Sequence, residues 1–309
     1  MDKRTLMKRM TYIIAALLIC LGASAQEKRM AVVEFSTSYL RLQPDYESPL
    51  ETQELMGTVV EIVGEKSYWR EVVTPQPYRA WCTDQGLVEM NQEELEAYMA
   101  APKVMFMQLY GHIYTRPSFK SATLCDLVGG DIMRFAGRKG RWTKVMLPSG
   151  KTGYVPSKEL KEHKGFMSIA MGEGNSETIS PETTEAIIAE AEKLVGVPYL
   201  WGGMSAKGVD CSGLVRISHI MNGILLPRNA SQQIKCGDRV ELDQLQRGDL
   251  VFFGTPATDE KPMRVTHVGI YLGDGRIIHS SHRVRINSLT PGEADYYENA
   301  HRLIAAIRL

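Results

Sequence analysis

The chain has 309 residues, and its 36 basic and 36 acidic side chains balance to a formal net charge of zero. No basic stripe stands out, so a nucleic acid is not the expected partner. The length is sufficient for two or three domains.

Residues 1–25 have the pattern of a signal peptide. A basic leader precedes the apolar run 13–21, and Ala23-Ser24-Ala25 forms a small-x-small cleavage site. This predicts an exported protein, periplasmic or extracellular, with no membrane anchor after cleavage. A retained anchor is less favoured because the run is short for a bilayer. A lipoprotein attached through Cys20 is less favoured because a bulky residue precedes that cysteine.

Four cysteines follow the leader. An exported protein can form disulfides, but the spacing of these cysteines shows no disulfide framework. No Cys-x-x-Cys motif and no cluster of His and Cys ligands occurs, so neither a metal site nor another cofactor is predicted. The four are Cys82, Cys125, Cys211 and Cys236.

An internal repeat organises the first half of the mature chain. At an offset of 73 residues, Trp69 aligns with Trp142, and segments of alternating apolar and polar residues recur in both copies. Such segments between Gly and Pro turns are typical of half-buried strands. Five strands in about 60 residues predict a small closed or nearly closed all-β barrel. The two copies cover residues 30–90 and 103–163, with one short helix, residues 91–99, between them.

The remaining residues, 177–309, have the pattern of an α+β domain behind a linker near residues 172–176. Ser180 and Pro181 are typical of a helix start, and a second helix is predicted from about Cys211 to Met221. Strands are predicted at 249–253, 265–271, 276–280 and 303–307. This order places a helix start and a later antiparallel sheet in one domain.

Cys211 is the candidate nucleophile. It opens the second helix directly after Asp210. Unpaired N–H groups and the dipole at a helix N-terminus favour the thiolate over the thiol. The same N–H groups can stabilise an oxyanion during acyl transfer. The structural alternative is a small buried apolar cysteine, which is how most unpaired cysteines behave.

His267 and His279 are the candidate base and its orienting partner, because a cysteine nucleophile needs both. They lie on consecutive predicted strands. A three-residue turn, Gly273–Gly275, puts both histidines on one face through a bulge, whereas a two-residue turn puts His267 opposite His282. We favour His279 and keep His282 as the alternative. The other histidines are interpreted as structural or surface residues: His112, His163, His219 and His301.

Four separated motifs resemble the NlpC-type cysteine peptidases in order and spacing. They are Tyr199–Gly203, Gly208–Leu214, Thr266–Gly273 and His279–Ser281. The resemblance covers residues 180–309 and implies a papain-like catalytic domain. The two upstream repeats resemble bacterial SH3-type domains, so the expected fold is two SH3-like barrels followed by the catalytic domain. The combination resembles the γ-D-glutamyl-L-diamino acid endopeptidases that process murein peptides.

The resemblance implies a role for each matching residue. Cys211 would attack the γ-D-glutamyl carbonyl, His267 would transfer the proton, and His279 would orient His267. Tyr199 would line the oxyanion site. In relatives that require a free N-terminal L-alanine, the residues flanking the nucleophile, here Asp210 and Ser212, bind the substrate.

Further substrate contacts are implied outside the nucleophile motif. The segment Pro227–Ser231 carries Asn229 and Ala230 where the family motif has an aspartate and its neighbour. The family's first barrel contributes a tyrosine, for which Tyr78 is the candidate, and a glutamate, for which Glu47 and Glu51 are both candidates. A surface turn is the alternative role of Tyr78. Independently of the resemblance, a charged amine calls for a carboxylate in a closed pocket. Asp210 is the candidate, because the helix start fixes it next to the nucleophile and at a set distance from the scissile bond; the alternative is a role as a helix cap only.

The expected partner is a peptidoglycan-derived peptide. The favoured function is cleavage of small murein peptides with a free L-alanine, releasing L-Ala-D-Glu. An alternative is hydrolysis of the intact wall with the barrels as wall-binding modules. A non-enzymatic binding protein is disfavoured because Cys211, His267 and His279 are all present. Lysine and diaminopimelate at the third position stay open, as does the oligomeric state.

Overall fold

The computed structural model describes residues 28–76, 78–172 and 179–309. The predicted signal peptide and most of the predicted linker lie outside these residues. Within them, no helix combines the length and the apolar character needed to cross a bilayer.

The first region is a seven-stranded antiparallel sheet with the strand order β3-β2-β6-β5-β4-β1-β7. Its interior contains side chains from alternate strand positions, such as Val60 and Ile62 on one strand. This alternation is the expected pattern of a half-buried strand. The strands are β1 (Arg29–Val33), β2 (Thr37–Arg41), β3 (Leu50–Leu55), β4 (Val59–Lys66), β5 (Trp69–Val73), β6 (Arg79–Thr83) and β7 (Leu87–Met90).

Helix α1 (Gln92–Ala100) follows, as predicted, and Asn91 and Glu94 form a capping box at its start. A second seven-stranded sheet then has the order β10-β9-β13-β12-β11-β8-β14. Its strands are β8 (Lys103–Phe106), β9 (Tyr110–Tyr114), β10 (Thr123–Val128), β11 (Ile132–Lys139), β12 (Trp142–Met146), β13 (Thr152–Pro156) and β14 (Leu160–His163).

The two strand orders are identical after a shift of seven strands, which confirms the internal repeat. Gly57 and Gly130, 73 residues apart, both have positive φ, at 88° and 94°. A Cβ on Gly57 would lie 2.4 Å from the Ile132 carbonyl oxygen, so the first of these positions also needs glycine for space. The prediction of five strands per copy is wrong. Strands such as β3 carry polar residues that are buried against other domains, and these give no apolar alternation.

The third region combines helices with a six-stranded sheet, in the order β19-β24-β20-β21-β22-β23. Its helices are α2 (Pro181–Lys193), α3 (Cys211–Ile220) and α4 (Ala230–Gln233). Its strands are β15 (Met167–Ser168), β16 (Met204–Ser205), β17 (Gly208–Val209), β18 (Ile224–Leu225), β19 (Asp238–Val240), β20 (Leu250–Thr255), β21 (Arg264–Gly273), β22 (Arg276–Ser281), β23 (Arg283–Ser288) and β24 (Leu303–Arg308). The α+β arrangement is as predicted, although β23 and the short strands β15 to β19 were not predicted.

Helix α2 begins where its capping residues indicate. The Ser180 hydroxyl accepts a 3.3 Å hydrogen bond from the Thr183 N–H, and Pro181 is the first helical residue. Ile187, Ile188 and Ala191 are buried on the face that contacts α3. The helix thereby fixes α3, and with it Cys211, against the sheet.

The edge strand β3 packs on the third region. The Gln53 side-chain oxygen accepts hydrogen bonds from the Met204 N–H at 2.8 Å and the Ser205 hydroxyl at 2.9 Å. Thr52 accepts one from Arg228 Nε at 2.8 Å. An otherwise unpaired strand edge is therefore covered, which is a common protection against aggregation. It also brings the residues of β3 beside the start of α3.

Candidate active site

Cys211 is the first residue of α3, as the sequence predicts. Asp210 is its N-cap, with Oδ1 accepting a 2.7 Å hydrogen bond from the Gly213 N–H. A Cβ on Gly213 would lie 2.0 Å from the Gly203 carbonyl oxygen, so the helix start approaches its neighbouring loop too closely for any side chain. The nucleophile therefore sits at a tightly fixed helix terminus.

The thiol state of Cys211 differs from the expectation. Burial, followed by the nearby Asp210 charge, raises the pKa of Cys211 to about 11. Hydrogen bonding from the backbone N–H groups of Val268 and Ser212 acts in the opposite direction but is weaker. The helix terminus thus favours the thiolate as expected, but loss of water around the sulfur outweighs it and the net shift favours the thiol. Cys211 needs a base to remove its proton.

The β21–β22 hairpin puts the two predicted histidines together. Ile270 pairs with Ile278, and Tyr271 pairs with Ile277, so the predicted register is confirmed. The turn differs from the predicted three-residue loop. It is a two-residue turn at Asp274-Gly275, both with positive φ, and an irregularity between Tyr271 and Gly273 shifts the register.

His267 Nε2 lies 2.8 Å from His279 Nδ1. His267 directly precedes Val268 on β21, and the backbone N–H of Val268 hydrogen-bonds to the Cys211 sulfur. Burial, and then the neighbouring His279, lower the pKa of His267 to about 3, so the ring is neutral at neutral pH. The Tyr297 ring packs edge-on against His279, with centroids 4.5 Å apart. His282, the alternative partner, is exposed in the turn after β22.

Asp210 is held in a buried network. Arg228 is 2% exposed, and its Nη2 and Nη1 lie 2.6 and 3.0 Å from the two Asp210 oxygens. Arg228 Nη1 also donates to the Ser212 hydroxyl at 2.9 Å, and the Gly202 N–H donates to Asp210 Oδ2 at 2.9 Å. Asp210 and Ser212 are therefore beside the nucleophile as predicted, and both have protein partners in this structure.

Tyr78 and Glu51 meet at the edge of the first sheet. The Tyr78 hydroxyl donates a 2.6 Å hydrogen bond to Glu51 Oε2, and Gly202 packs against the Glu51 backbone. Glu47, the other candidate, is exposed in the preceding turn. A hydrogen bond from Asn229 also influences the Tyr78 hydroxyl. Tyr78 thus lies in the turn between β5 and β6, where its side chain is half-buried in an interdomain cluster.

Three further predicted residues border this region. Asn229 caps α4, and Ala230 is its first residue; both are partly buried. Burial, followed by the charges of Cys211 and Asp210, raises the pKa of Tyr199. The Tyr199 hydroxyl is therefore within electrostatic reach of the nucleophile and keeps its proton at neutral pH.

Sequence reasoning missed the partners that orient these groups. Arg228 lies inside the segment Pro227–Ser231, but nothing in this segment indicated a buried ion pair. Asn287 Oδ1 lies 3.0 Å from His279 Nε2, on the unforeseen strand β23. Among the remaining histidines, His219 is buried on α3 with Nδ1 2.7 Å from the Val215 carbonyl oxygen, consistent with a structural role.

Comparison with known proteins agrees with this geometry. The NlpC/P60 family model matches residues 196–302. The chain is 29% identical to a γ-D-glutamyl-L-lysine dipeptidyl-peptidase of Bacillus cereus, over 82% of this chain and 75% of that protein. It is 27% identical to dipeptidyl-peptidase 6 of Lysinibacillus sphaericus, over 90% of this chain and 98% of that protein.

A solved structure of an NlpC/P60 family protein from Bacillus cereus superposes with a TM-score of 0.73 and 25% identity, over 90% of this chain and 99% of that one. The likeness therefore extends through both upstream sheets. It also includes the region of the nucleophile and the two histidines. The resemblance to the NlpC-type cysteine peptidases is confirmed, and residues 196–302 of this chain form an NlpC/P60 family domain.

Proposed function

We propose that the protein is a cysteine endopeptidase that hydrolyses the γ-D-glutamyl-L-diamino acid bond of murein peptides with a free N-terminal L-alanine. The observation that carries this proposal is the Glu51–Tyr78 pair, which a separate domain places beside the helix that begins with Cys211. The names of the Bacillus cereus and Lysinibacillus sphaericus relatives support the same reaction.

In the proposed mechanism, His267 removes the thiol proton as Cys211 attacks the γ-carbonyl of the D-glutamyl residue. Because the resting group is a thiol, this transfer accompanies the attack. The Cys211 N–H and the Tyr199 hydroxyl donate to the oxyanion. His267 then gives the proton to the leaving amine as the C–N bond breaks. Water, activated by His267, hydrolyses the thioester and releases L-Ala-D-Glu.

Recognition of the amine is assigned to Glu51. Asp210 already accepts hydrogen bonds from Gly202, Gly213 and the Arg228 guanidinium, so its charge is compensated within the protein. Glu51 accepts one hydrogen bond from Tyr78, and its Oε1 is left for an ammonium group. Asp210, Ser212, Asn229 and Ala230 are assigned to further substrate contacts beside Glu51. In this assignment, the separation between Glu51 and Cys211 selects the L-Ala-D-Glu unit between the free amine and the bond that is cleaved.

The domain assignment follows from this proposal. Residues 30–90 and 103–163 are proposed to be SH3-type modules, and residues 177–309 the peptidase domain. Residues 1–25 are proposed to direct export, so that the enzyme meets its substrate in the periplasm or outside the cell. In this arrangement the first module serves substrate selection, which argues against a role limited to anchoring on the wall.

The test compares three substrates: L-Ala-γ-D-Glu-L-Lys with a free amine, the same peptide N-acetylated, and purified intact peptidoglycan. We expect efficient cleavage of the free peptide only. Equal cleavage of the first two would refute amine recognition, and preferred release from intact peptidoglycan would favour the wall-hydrolase alternative.

Cys211→Ala should abolish turnover with an unchanged circular dichroism spectrum, and retained activity would remove Cys211 from the mechanism. A parallel series with diaminopimelate at the third position determines the preferred diamino acid.

A further inference from the structure

Asn287 continues the chain of hydrogen bonds that joins His267 and His279. It lies on β23 and is 7% exposed. In the β22–β23 ladder Asn287 is opposite Ile277, two positions from His279 on the same face. Its Nδ2 donates to the Asp295 carbonyl oxygen at 2.5 Å, and its Oδ1 lies 3.0 Å from His279 Nε2.

The orientation of the amide determines where the ring protons lie. A backbone carbonyl oxygen only accepts hydrogen bonds, so the group facing Asp295 has to be the Asn287 NH₂. The Asn287 oxygen, which also only accepts, then faces His279 and requires a proton on Nε2 of that ring. In the neutral ring, His279 Nδ1 consequently has no proton.

The proton position on His279 in turn determines that on His267. His279 Nδ1 accepts from His267 Nε2 across their 2.8 Å contact, so the His267 proton lies on Nε2. His267 Nδ1 is left as the unprotonated nitrogen, the form that a base for Cys211 needs. The hydrogen bonds from His267 through His279 and Asn287 to the Asp295 carbonyl oxygen therefore all donate in the same direction.

We propose that Asn287 is a positioning residue that sets the tautomer of His279 and, through it, the tautomer of His267. The inference rests on the proposed catalytic role of Cys211, His267 and His279. Asn287 acts without touching the substrate. It lowers the population of the ring forms in which His267 Nδ1 carries a proton and cannot serve as the base.

The Tyr297 ring supports this role because it covers the histidines on one side. Its centroid is 4.5 Å from that of His279 and 5.7 Å from that of His267. The apolar ring face gives no alternative hydrogen bond that could stabilise another tautomer, so the polar contacts within the chain determine the choice.

Two substitutions separate tautomer control from a purely structural role. Asn287→Leu removes the acceptor at similar volume. Asn287→Asp keeps the size and oxygen position but adds a negative charge, which stabilises a doubly protonated His279. That ring would donate from both nitrogens, so His267 Nε2 would have to accept and its proton would move to Nδ1.

The measurement is NMR of the histidine ring nitrogens in full-length protein with ¹⁵N-labelled histidine, together with kcat and KM. In the unsubstituted protein we expect Nε2–H on both rings. In Asn287→Leu the tautomers should mix and kcat should fall about 10- to 100-fold with little change in KM. In Asn287→Asp, kcat should fall similarly and recover as rising pH removes the additional proton from His279.

Asn222→Leu is a matched control. The Asn222 amide also donates to a backbone carbonyl, that of Ser218 at 2.9 Å, but contacts neither His267 nor His279. It should change the melting temperature only. Unchanged ring signals in both Asn287 variants, or an Nδ1–H on His279 in the unsubstituted protein, would overturn the inference. A protein with the expected ring signals that fails to cleave the peptide would instead refute the proposed function.

Discussion

The phenol oxygen of Tyr78 lies 2.6 Å from Oε2 of Glu51, and this contact joins the loop before β6 to strand β3 of the first sheet. Burial, followed by the hydrogen bond to Glu51, raises the pKa of Tyr78 to about 12. The hydroxyl therefore remains a donor at every pH at which the enzyme is expected to work. It holds one carboxylate oxygen of Glu51, and under the proposed function the other oxygen binds the substrate amine.

Replacing Glu51 should remove selection for the free amine. We expect Glu51→Gln to lower kcat/KM for the free peptide by about 10- to 100-fold, because a hydrogen bond to a charged group contributes about 1.5–3 kcal/mol. Cleavage of the acetylated peptide should change little. Glu47→Gln is the matched control, since Glu47 lies exposed in the preceding turn. An equal loss in both variants would contradict the role of Glu51.

The charge of the substrate amine should appear in the pH profile. A peptide α-amino group has a pKa of about 7.7–8.0, and only its protonated form pairs with a carboxylate. We therefore expect kcat/KM for the free peptide to decline above about pH 8. The acetylated peptide, although cleaved slowly, should show no such decline. Profiles of the same shape for both substrates would show that another group is responsible.

The acid limb in the pH profile of kcat should lie at an unusually low pH. Burial, and then His279, lower the pKa of His267 to about 3, and the pKa of His279 is lowered to about 4, mainly by burial. As the pH falls, the base is lost only when His267 takes up a proton, so kcat should persist well below pH 6. Rates are measured at saturating substrate, with circular dichroism to exclude acid unfolding. A limb near 6.5 would indicate that the histidines are better solvated than in this structure.

Arg228 should be important for stability. Arg228→Met leaves the Asp210 carboxylate buried without its cation, which typically costs about 3–5 kcal/mol of unfolding free energy. Asp210→Asn in the same chain should recover part of the loss, because the unpaired charge is removed. Urea unfolding of the single and double variants measures this coupling.

Arg247→Met is the surface control for Arg228. Its ion pair with Glu185, at 2.7 Å, involves two exposed side chains. A solvated pair of this kind should contribute less to the unfolding free energy. Equal losses at the two sites would mean that burial of the Asp210 pair has no special effect.

Capping residues and turn glycines in the sequence correctly predicted the helix starts and the hairpin of the candidate site. Ser180 with Pro181, and Asp210 before Cys211, identified two helix starts. Glycines between apolar segments identified the histidine hairpin. Polar residues that satisfy one another across domains leave no periodic pattern, so β3, Arg228 and Asn287 were missed or unassigned. The ionisation of Cys211 was mispredicted because it depends on burial, which only the packed structure reveals.

The position of strand β3 has an evolutionary consequence. Under the proposed function, residues 50–55 influence which peptide is accepted, while bond cleavage is encoded more than 150 residues later. Mutations in this strand could therefore diversify substrate choice among descendants without altering the chemistry. Exchanging the strand between related chains offers the same route to an engineer, provided that Thr52 and Gln53 keep their contacts with Arg228 and Met204.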